Sequence, residues 1–343
     1  MILIEPIRNG KWIKDGAYLL AIQYWAVEHL DPDEIIIFPY ICDPHVQIGY
    51  FQNPEVEINF DLLTKRNFPV VRRDTGGGAI YIDDLSANFS FSIPYNKYPH
   101  MLGNYSQFYA PIITILKNLG AKDVVFSGKN DLTINNKKIS GAAMSLVKNR
   151  IYAGFSLLYD IDFETIEALL VPNRKKIEAK GIKSIAQRVE PLKNHLESKY
   201  QNLDSFGFKD LILQQYLVTQ QLSQFQKFVL SDQAWAEIDE LVAKKYKNWD
   251  WTYGLSPGYS YNRDARLEIG TINFSLEIEG FKIKKAKVSG DFFAKTSLAI
   301  LEEALINCRL DYQDLYQALS KINFDEIFFK PIEISKIIET ILS

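Results

Sequence analysis

Residues 72–84 read RRDTGGGAIYIDD and set two arginines and three consecutive glycines between strand-like runs. Residues without Cβ let successive backbone N–H groups converge on an anion, so the loop is a candidate cradle for a phosphate or an acyl phosphate. A hairpin turn is the competing reading, since Gly-Gly is a common connector and paired arginines are often solvated. No Lys-Ser or Lys-Thr follows the glycines, so this is not a Walker loop, nor is the spacing that of a dinucleotide fingerprint.

A second segment, residues 128–143, reads GKNDLTINNKKISGAA. Lys138 stands out because an ammonium held over a phosphate or a developing oxyanion stabilises charge in adenylation and acyl transfer. Beside Asn135 and Asn136 the same lysine could equally be a solvated hairpin charge. Asp131 is open to two readings as well, a turn-capping aspartate or a carboxylate assisting Mg²⁺.

The elements that must position these residues show in the hydrophobic pattern. Residues 2–7 read as a strand and residues 15–30 as a helix that Pro32 closes. Short β-branched runs at 35–38, 46–50, 70–73, 79–82 and 88–93 are separated by Pro, Gly or Asp and predict a mainly antiparallel sheet. Residues 105–119 carry apolar positions three or four apart, a helix with one buried face. Strands at 122–126, 132–134 and 151–158 follow, and the Lys-rich residues 173–183 read as a mobile loop. Helices are expected over 206–217 and 232–247, then strands at 266–272, 274–278 and 281–288 and helices near 295–307 and 311–320. No internal repeat is present.

The implied fold class is α+β. A large mixed, mainly antiparallel sheet domain with helices spans residues 1–247, a Trp-, Tyr- and Gly-rich linker spans 248–260, and a small C-terminal α+β domain spans 261–343. The 343 residues, 47% hydrophobic and 24% charged, are enough for two such cores. With 39 basic against 42 acidic residues there is no general electrostatic case for nucleic-acid binding. Apolar runs are too short to cross a bilayer and no leader is evident, which places the protein in the cytoplasm. Cys42 and Cys308, without Cys or His partners nearby, read as buried thiols.

Taken in order, the two segments resemble the signature of lipoate-protein ligases, an RRxSGGGAVYHD-like loop followed by GRNDL and KxSG. Residues 176–189, KIEAKGIKSIAQRV, are similar to the adenylate-loop segment of that family, and residues 249–254, WDWTYG, to its boundary motif before an accessory domain. The resemblance spans roughly the whole chain. It implies an enzyme that activates lipoate with ATP as an acyl adenylate and passes the lipoyl group to a lysine of an acceptor lipoyl-domain protein, of the 2-oxoacid dehydrogenase E2 or glycine-cleavage H type. It also implies a fold related to biotin-protein ligases.

Carried over position by position, the resemblance makes Lys138 the catalytic residue and Arg73 a nucleotide contact. Thr75, Gly76, Gly77, Gly78, Ala79, Ile80, Tyr81 and Asn130 line the ATP and adenylate pocket. Arg73, Gly77, Ile82 and Lys138 meet the lipoyl group, Asp131 assists Mg²⁺, and Lys180, Gly181 and Ser184 close over the adenylate. The chain departs from the family pattern at Gln23, Tyr50, Ile82 and Lys129, where Glu, Arg, His and Arg are usual, which bears on pocket polarity and acyl preference. Two other readings are a transferase of the same superfamily that forms a thioester on cysteine, against which no Cys falls in 130–170, and a non-catalytic lipoate-binding protein.

Overall fold

The computed structural model describes residues 1–54, 58–170, 188–254, 261–279 and 282–342. In chain order the first body carries β1 (Ile2–Ile4), β2 (Ile7–Arg8), β3 (Lys11–Trp12), α1 (Gly16–His29), β4 (Ile36–Tyr40), β5 (His45–Ile48), α2 (Phe60–Arg66), β6 (Val70–Arg72), β7 (Ile80–Ile82) and β8 (Ala87–Pro94). It continues with α3 (Tyr105–Asn118), β9 (Val125–Ser127), β10 (Asp131–Ile134), β11 (Lys137–Val147), β12 (Arg150–Leu157), α4 (Phe163–Leu169), α5 (Ser205–Thr219), β13 (Gln226–Phe228) and α6 (Asp232–Leu241).

Eight of these strands form one sheet in the order β13-β1-β4-β8-β12-β11-β10-β9, parallel from β13 to β4 and antiparallel beyond. This is the expected mixed, mainly antiparallel sheet. Alternation along β8 and β12 assigns its two faces. Phe89, Phe91, Ile93, Ile151, Phe155 and Leu157 point into a core closed by α3 and α5. On β8 the sequence alternates these apolar residues with Asn88, Ser90 and Ser92, and the opposite face of the sheet is covered by α1 and α6. Asp15 caps α1 by accepting the Ala17 and Tyr18 N–H groups, and Asn104 caps α3 through the Gln107 N–H.

Three predicted strands do not join this sheet. β5, β6 and β7 form their own sheet in the order β6-β5-β7, because β5 runs parallel to β6 and antiparallel to β7. β11 is an eleven-residue strand where none was expected; eight successive pairs with β12 hold it.

The second body is a three-stranded antiparallel sheet of β14 (Tyr261–Leu267), β15 (Gly270–Glu279) and β16 (Lys282–Gly290), covered by α7 (Ala299–Leu305), α8 (Tyr312–Leu319), α9 (Phe324–Ile327) and α10 (Ile334–Leu342) around a core of its own. Its first turn falls at Glu268 and Ile269, with Leu267 paired to Gly270, rather than at residue 273 as the apolar runs imply. Gly270 has φ +144°, which permits the turn there. Of the expected linker, residues 248–254 are described, and Trp251 and Thr252 pack on β6 of the first body.

Candidate active site

A cavity of about 490 Å³ lies between the large sheet, α1 and the small sheet of β5, β6 and β7. Its floor is built from small side chains, Ser90 on β8, Gly154 and Ser156 on β12, and Gly141 and Ala143 on β11. The alternation that sends Phe89, Phe91 and Phe155 to the α3 side leaves this space on the other side. Leu20, Ile80 and Ile82 supply apolar wall, while Gln23, Tyr40 and Tyr152 add polar groups. The Tyr152 hydroxyl donates to the Gln23 carbonyl oxygen at 2.6 Å, so the amide at the first departure from the family pattern is engaged inside the protein.

A bulge aims Lys138 into this space. Leu132 pairs with Ser140 and Thr133 with Lys138, which leaves Ile139 as the extra residue of β11. Ser140 turns to α3, where its hydroxyl meets Tyr109 at 2.9 Å, and Ile139 enters the same core. Lys138 instead lines the cavity beside Gly141. Its ammonium lies 2.8 Å from the Asp131 carboxylate, and its carbonyl accepts the Glu190 N–H at 2.9 Å. The Asn130 side chain donates to the Ala142 carbonyl, which ties the two strands together at the bulge.

The Gly of the Lys-x-Ser-Gly sequence follows from this packing. A Cβ on residue 141 would come within 2.5 Å of the Lys138 Nζ. The ammonium ends a flexible chain, so Gly141→Ala moves the lysine head rather than the strand. We expect the variant to melt near the wild-type temperature and to lose roughly tenfold or more in activity, the penalty of a misplaced charge. Wild-type turnover in Gly141→Ala would show that the position of Lys138 is not critical.

The glycine loop is shaped from within by Arg73. Its guanidinium donates to the carbonyls of Gly76 at 2.8 Å, Gly78 at 2.9 Å and Gln47 at 3.2 Å, and to the Thr75 hydroxyl at 3.1 Å. Burial draws its pKa down to about 10. Gly77 has φ +95°, a conformation that disfavours any side chain. Gly78 is open on its side-chain face, where a Cβ would meet no protein atom within 4 Å. Ala79, Ile80, Tyr81 and Ile82 continue the wall. Ile82 is buried against α1 as well as lining the cavity, whereas the Tyr81 ring also packs against Phe68.

The next residue, Asp83, is buried, and that burial raises its carboxyl to about 6, with Asp84 and Asp162 adding repulsion. A carboxyl whose folded pKa exceeds its unfolded value favours the folded state most below the unfolded pKa, and that contribution is lost as pH rises through about 6. Asp83→Asn keeps an oxygen for the Leu85 N–H. It should therefore stabilise the protein at pH 7.5 by on the order of 1 kcal/mol, with the gain vanishing near pH 4. Melting curves across that range check it; a gain that grows toward low pH would contradict it.

The small domain completes the site. The Phe292 carbonyl accepts the Gly77 N–H at 3.0 Å, so one donor of the expected anion cradle is engaged by protein here. Phe293 lines the cavity. Lys129 lies near Arg266 and Lys330 of the same domain, and burial followed by those cations lowers its ammonium to about 8. Tyr50 packs its ring against Phe51 and Trp251.

The structure thus brings Arg73, Thr75, Gly77, Gly78, residues 79–82, Asn130, Asp131 and Lys138 to one cavity. Gly76 of the expected pocket turns instead toward the small domain, where it abuts the Phe292 carbonyl. Lys180, Gly181 and Ser184 lie outside the described residues. Sequence reasoning missed Ser90, Tyr152, Gly154 and Phe293. The alternation in β8 could have pointed to Ser90, but nothing local links Phe293 to a loop more than two hundred positions earlier. Cys42 is buried with its thiol against the Asp83 carbonyl, and Cys308 is half-buried in the small domain; burial raises both thiols. Neither lines the cavity. Among the described residues no three His, Cys, Asp or Glu side chains gather as a metal site, and no helix is long and apolar enough to cross a membrane.

Residues 15–217 match the model of the lipoyl protein ligase A/B catalytic domain, and residues 256–341 that of the bacterial lipoate protein ligase C-terminus. The chain is 45% identical to lipoate-protein ligase 2 of Staphylococcus aureus, with all of both chains covered. It is 46% identical to the lipoate-protein ligase of Streptococcus pyogenes over 94% of each chain. Its fold is similar to that of P. falciparum LipL1, solved in complex with lipoate, at a TM-score of 0.77 and 19% identity over 100% of this chain and 99% of the other. It also matches lipoate-protein ligase A bound with ATP, at a TM-score of 0.56 and 22% identity over 71% of this chain and 95% of that one.

Proposed function

The chain belongs to the lipoate-protein ligase family of enzymes, and from that premise we propose that its cavity binds lipoate and ATP, forms lipoyl-AMP, and transfers the lipoyl group to a lysine of an acceptor lipoyl domain. The observation that carries the reading is Lys138, held by a bulge at the cavity that a glycine loop of matching family pattern also lines.

In the first step a lipoate carboxylate oxygen attacks the α-phosphorus of ATP, the acyl–phosphate bond forms, and pyrophosphate leaves. Lys138 neutralises charge on the phosphate and on the acyl carbonyl as that bond forms. In the second step the neutral amine of the acceptor lysine attacks the same carbonyl, an amide forms, and AMP departs with the bonding pair while the amine loses its proton. One ammonium serves both steps, and no protein nucleophile is required. The raised Cys42 and Cys308 thiols, away from the cavity, disfavour the thioester alternative.

The family implies Mg²⁺. Asp131 offers a single carboxylate, already paired with Lys138, which suits Mg²⁺ only as an ion whose other ligands are nucleotide phosphates and water. There the ion would offset phosphate charge. The apolar wall of Leu20, Ile80 and Ile82 takes the acyl chain, and Ile82, in place of the usual imidazole, makes that contact one of burial.

The test is to incubate the protein with ATP, lipoate and an apo lipoyl domain of the 2-oxoacid dehydrogenase E2 or glycine-cleavage H type, and to follow the acceptor's intact mass. We expect one lipoyl addition, abolished by leaving out ATP. An acceptor left unmodified by lipoate and ATP, but acylated without ATP from a lipoyl or octanoyl thioester donor, would reject the ligase reading in favour of an acyl transferase.

A further inference from the structure

After β16 the small domain sends two neighbouring rings in opposite directions. Phe292 is buried in its own domain, stacked on Phe51 at 5.0 Å between centroids and edge-on to Phe328 at 5.4 Å. Phe293 is only half-buried and leaves that core. Its ring lines the large cavity, lies against Gly77, and sits 5.6 Å from the Tyr105 ring on α3. Among the described residues it is the one cavity-lining side chain drawn from beyond residue 254.

Backbone contacts fix this placement. The Gly77 N–H donates to the Phe292 carbonyl at 3.0 Å and the Gly290 N–H to the Phe51 carbonyl at 2.6 Å. The loop approaches so closely that a Cβ on Gly76 would stand 2.3 Å from the Phe292 carbonyl oxygen. A ring held this firmly by its neighbours, yet pointed away from its own core, has its apolar face available to a ligand.

We propose that Phe293 is a substrate-contacting residue of the acid-activation step, a wall of the acyl pocket that the small domain supplies. The inference rests on the activation reading above. Phe293 carries no polar atom, and its neighbour Gly77 has no side chain. The ring therefore offers burial and dispersion, which favour a methylene chain over a triphosphate.

The experiment is lipoate-dependent ATP–pyrophosphate exchange by the full chain, as wild type, Phe293→Ala and Phe293→Leu, with melting temperatures taken in parallel. Phe293→Ala should raise KM for lipoate and for octanoate about tenfold, with little change in kcat or in KM for ATP. Phe293→Leu should recover most of that loss, since it restores apolar surface. Unchanged acid KM in Phe293→Ala would overturn the proposal, as would a rise confined to KM for ATP, which would place the ring on the nucleotide. A wild-type protein that exchanges nothing would instead reject the activation reading on which the proposal stands.

Discussion

Lys138→Ala is expected to fold normally and to lose adenylate formation and lysine transfer together, each by about two to three decades of rate, the usual cost of roughly 3 to 4 kcal/mol for one preorganised charge contact. The side chain is about a third exposed and its ammonium pairs with Asp131, itself a third exposed, so its removal leaves a carboxylate that water can reach. That distinguishes it from a structural lysine. Pyrophosphate release and transfer from presynthesised lipoyl-AMP, measured on the same preparation, check both halves. Near-normal rates in either would show that Lys138 is not the group that serves both steps.

Arg72→Met is expected to act on the fold instead, destabilising it by about 3 to 5 kcal/mol. The Arg72 side chain is fully buried, and the charge is met by backbone carbonyls. It donates to Gly49 at 3.1 Å, to Tyr50 and Gln52 at 2.8 Å, to Trp251 at 2.9 Å and to Thr252 at 2.7 Å. The Trp251 indole returns a bond to the Arg72 carbonyl at 3.0 Å. Beside it, Asp74 takes the Lys245 ammonium and the Tyr246 hydroxyl, each at 2.5 Å, and Lys245 lies over the rings of Tyr24 and Trp251. Removing the guanidinium strands several buried acceptors and removes its bonds to the Trp251 and Thr252 carbonyls. Arg72→Lys should fail as well, because an ammonium cannot reach that fan of carbonyls. Denaturant midpoints of the three proteins decide it, and a loss below about 1 kcal/mol would show that water replaces the guanidinium cheaply.

The two arginines mark the limit of what the sequence revealed. The family resemblance makes Arg73 a nucleotide contact and gives Arg72 no role of its own. In the fold Arg72 is a clamp on the segment leading to the small domain, and Arg73 braces the glycine loop by donating to its carbonyls and to one hydroxyl. The types were right for chemistry, but side-chain direction depends on which strand pairs with which. β5, β6 and β7 formed a sheet of their own, a choice set by long-range pairing that local propensity does not encode.

Amphipathic elements were legible because each carries its own period. α1, α3 and α5 lie within two residues of their expected bounds; α3 has the one apolar face its period implies, whereas α1 is buried on nearly every side. β11 was harder to see: its residues at the bulge serve a cavity on one side and a core on the other, so no clean alternation survives. The same irregularity that hid the strand is what turns Lys138 into the cavity.

The most direct measurement is pyrophosphate exchange into ATP by the purified protein, with and without lipoate and with no acceptor present. Activation through an adenylate predicts exchange that requires lipoate and is nearly abolished in Lys138→Ala. Lipoate that binds without supporting any exchange would contradict it.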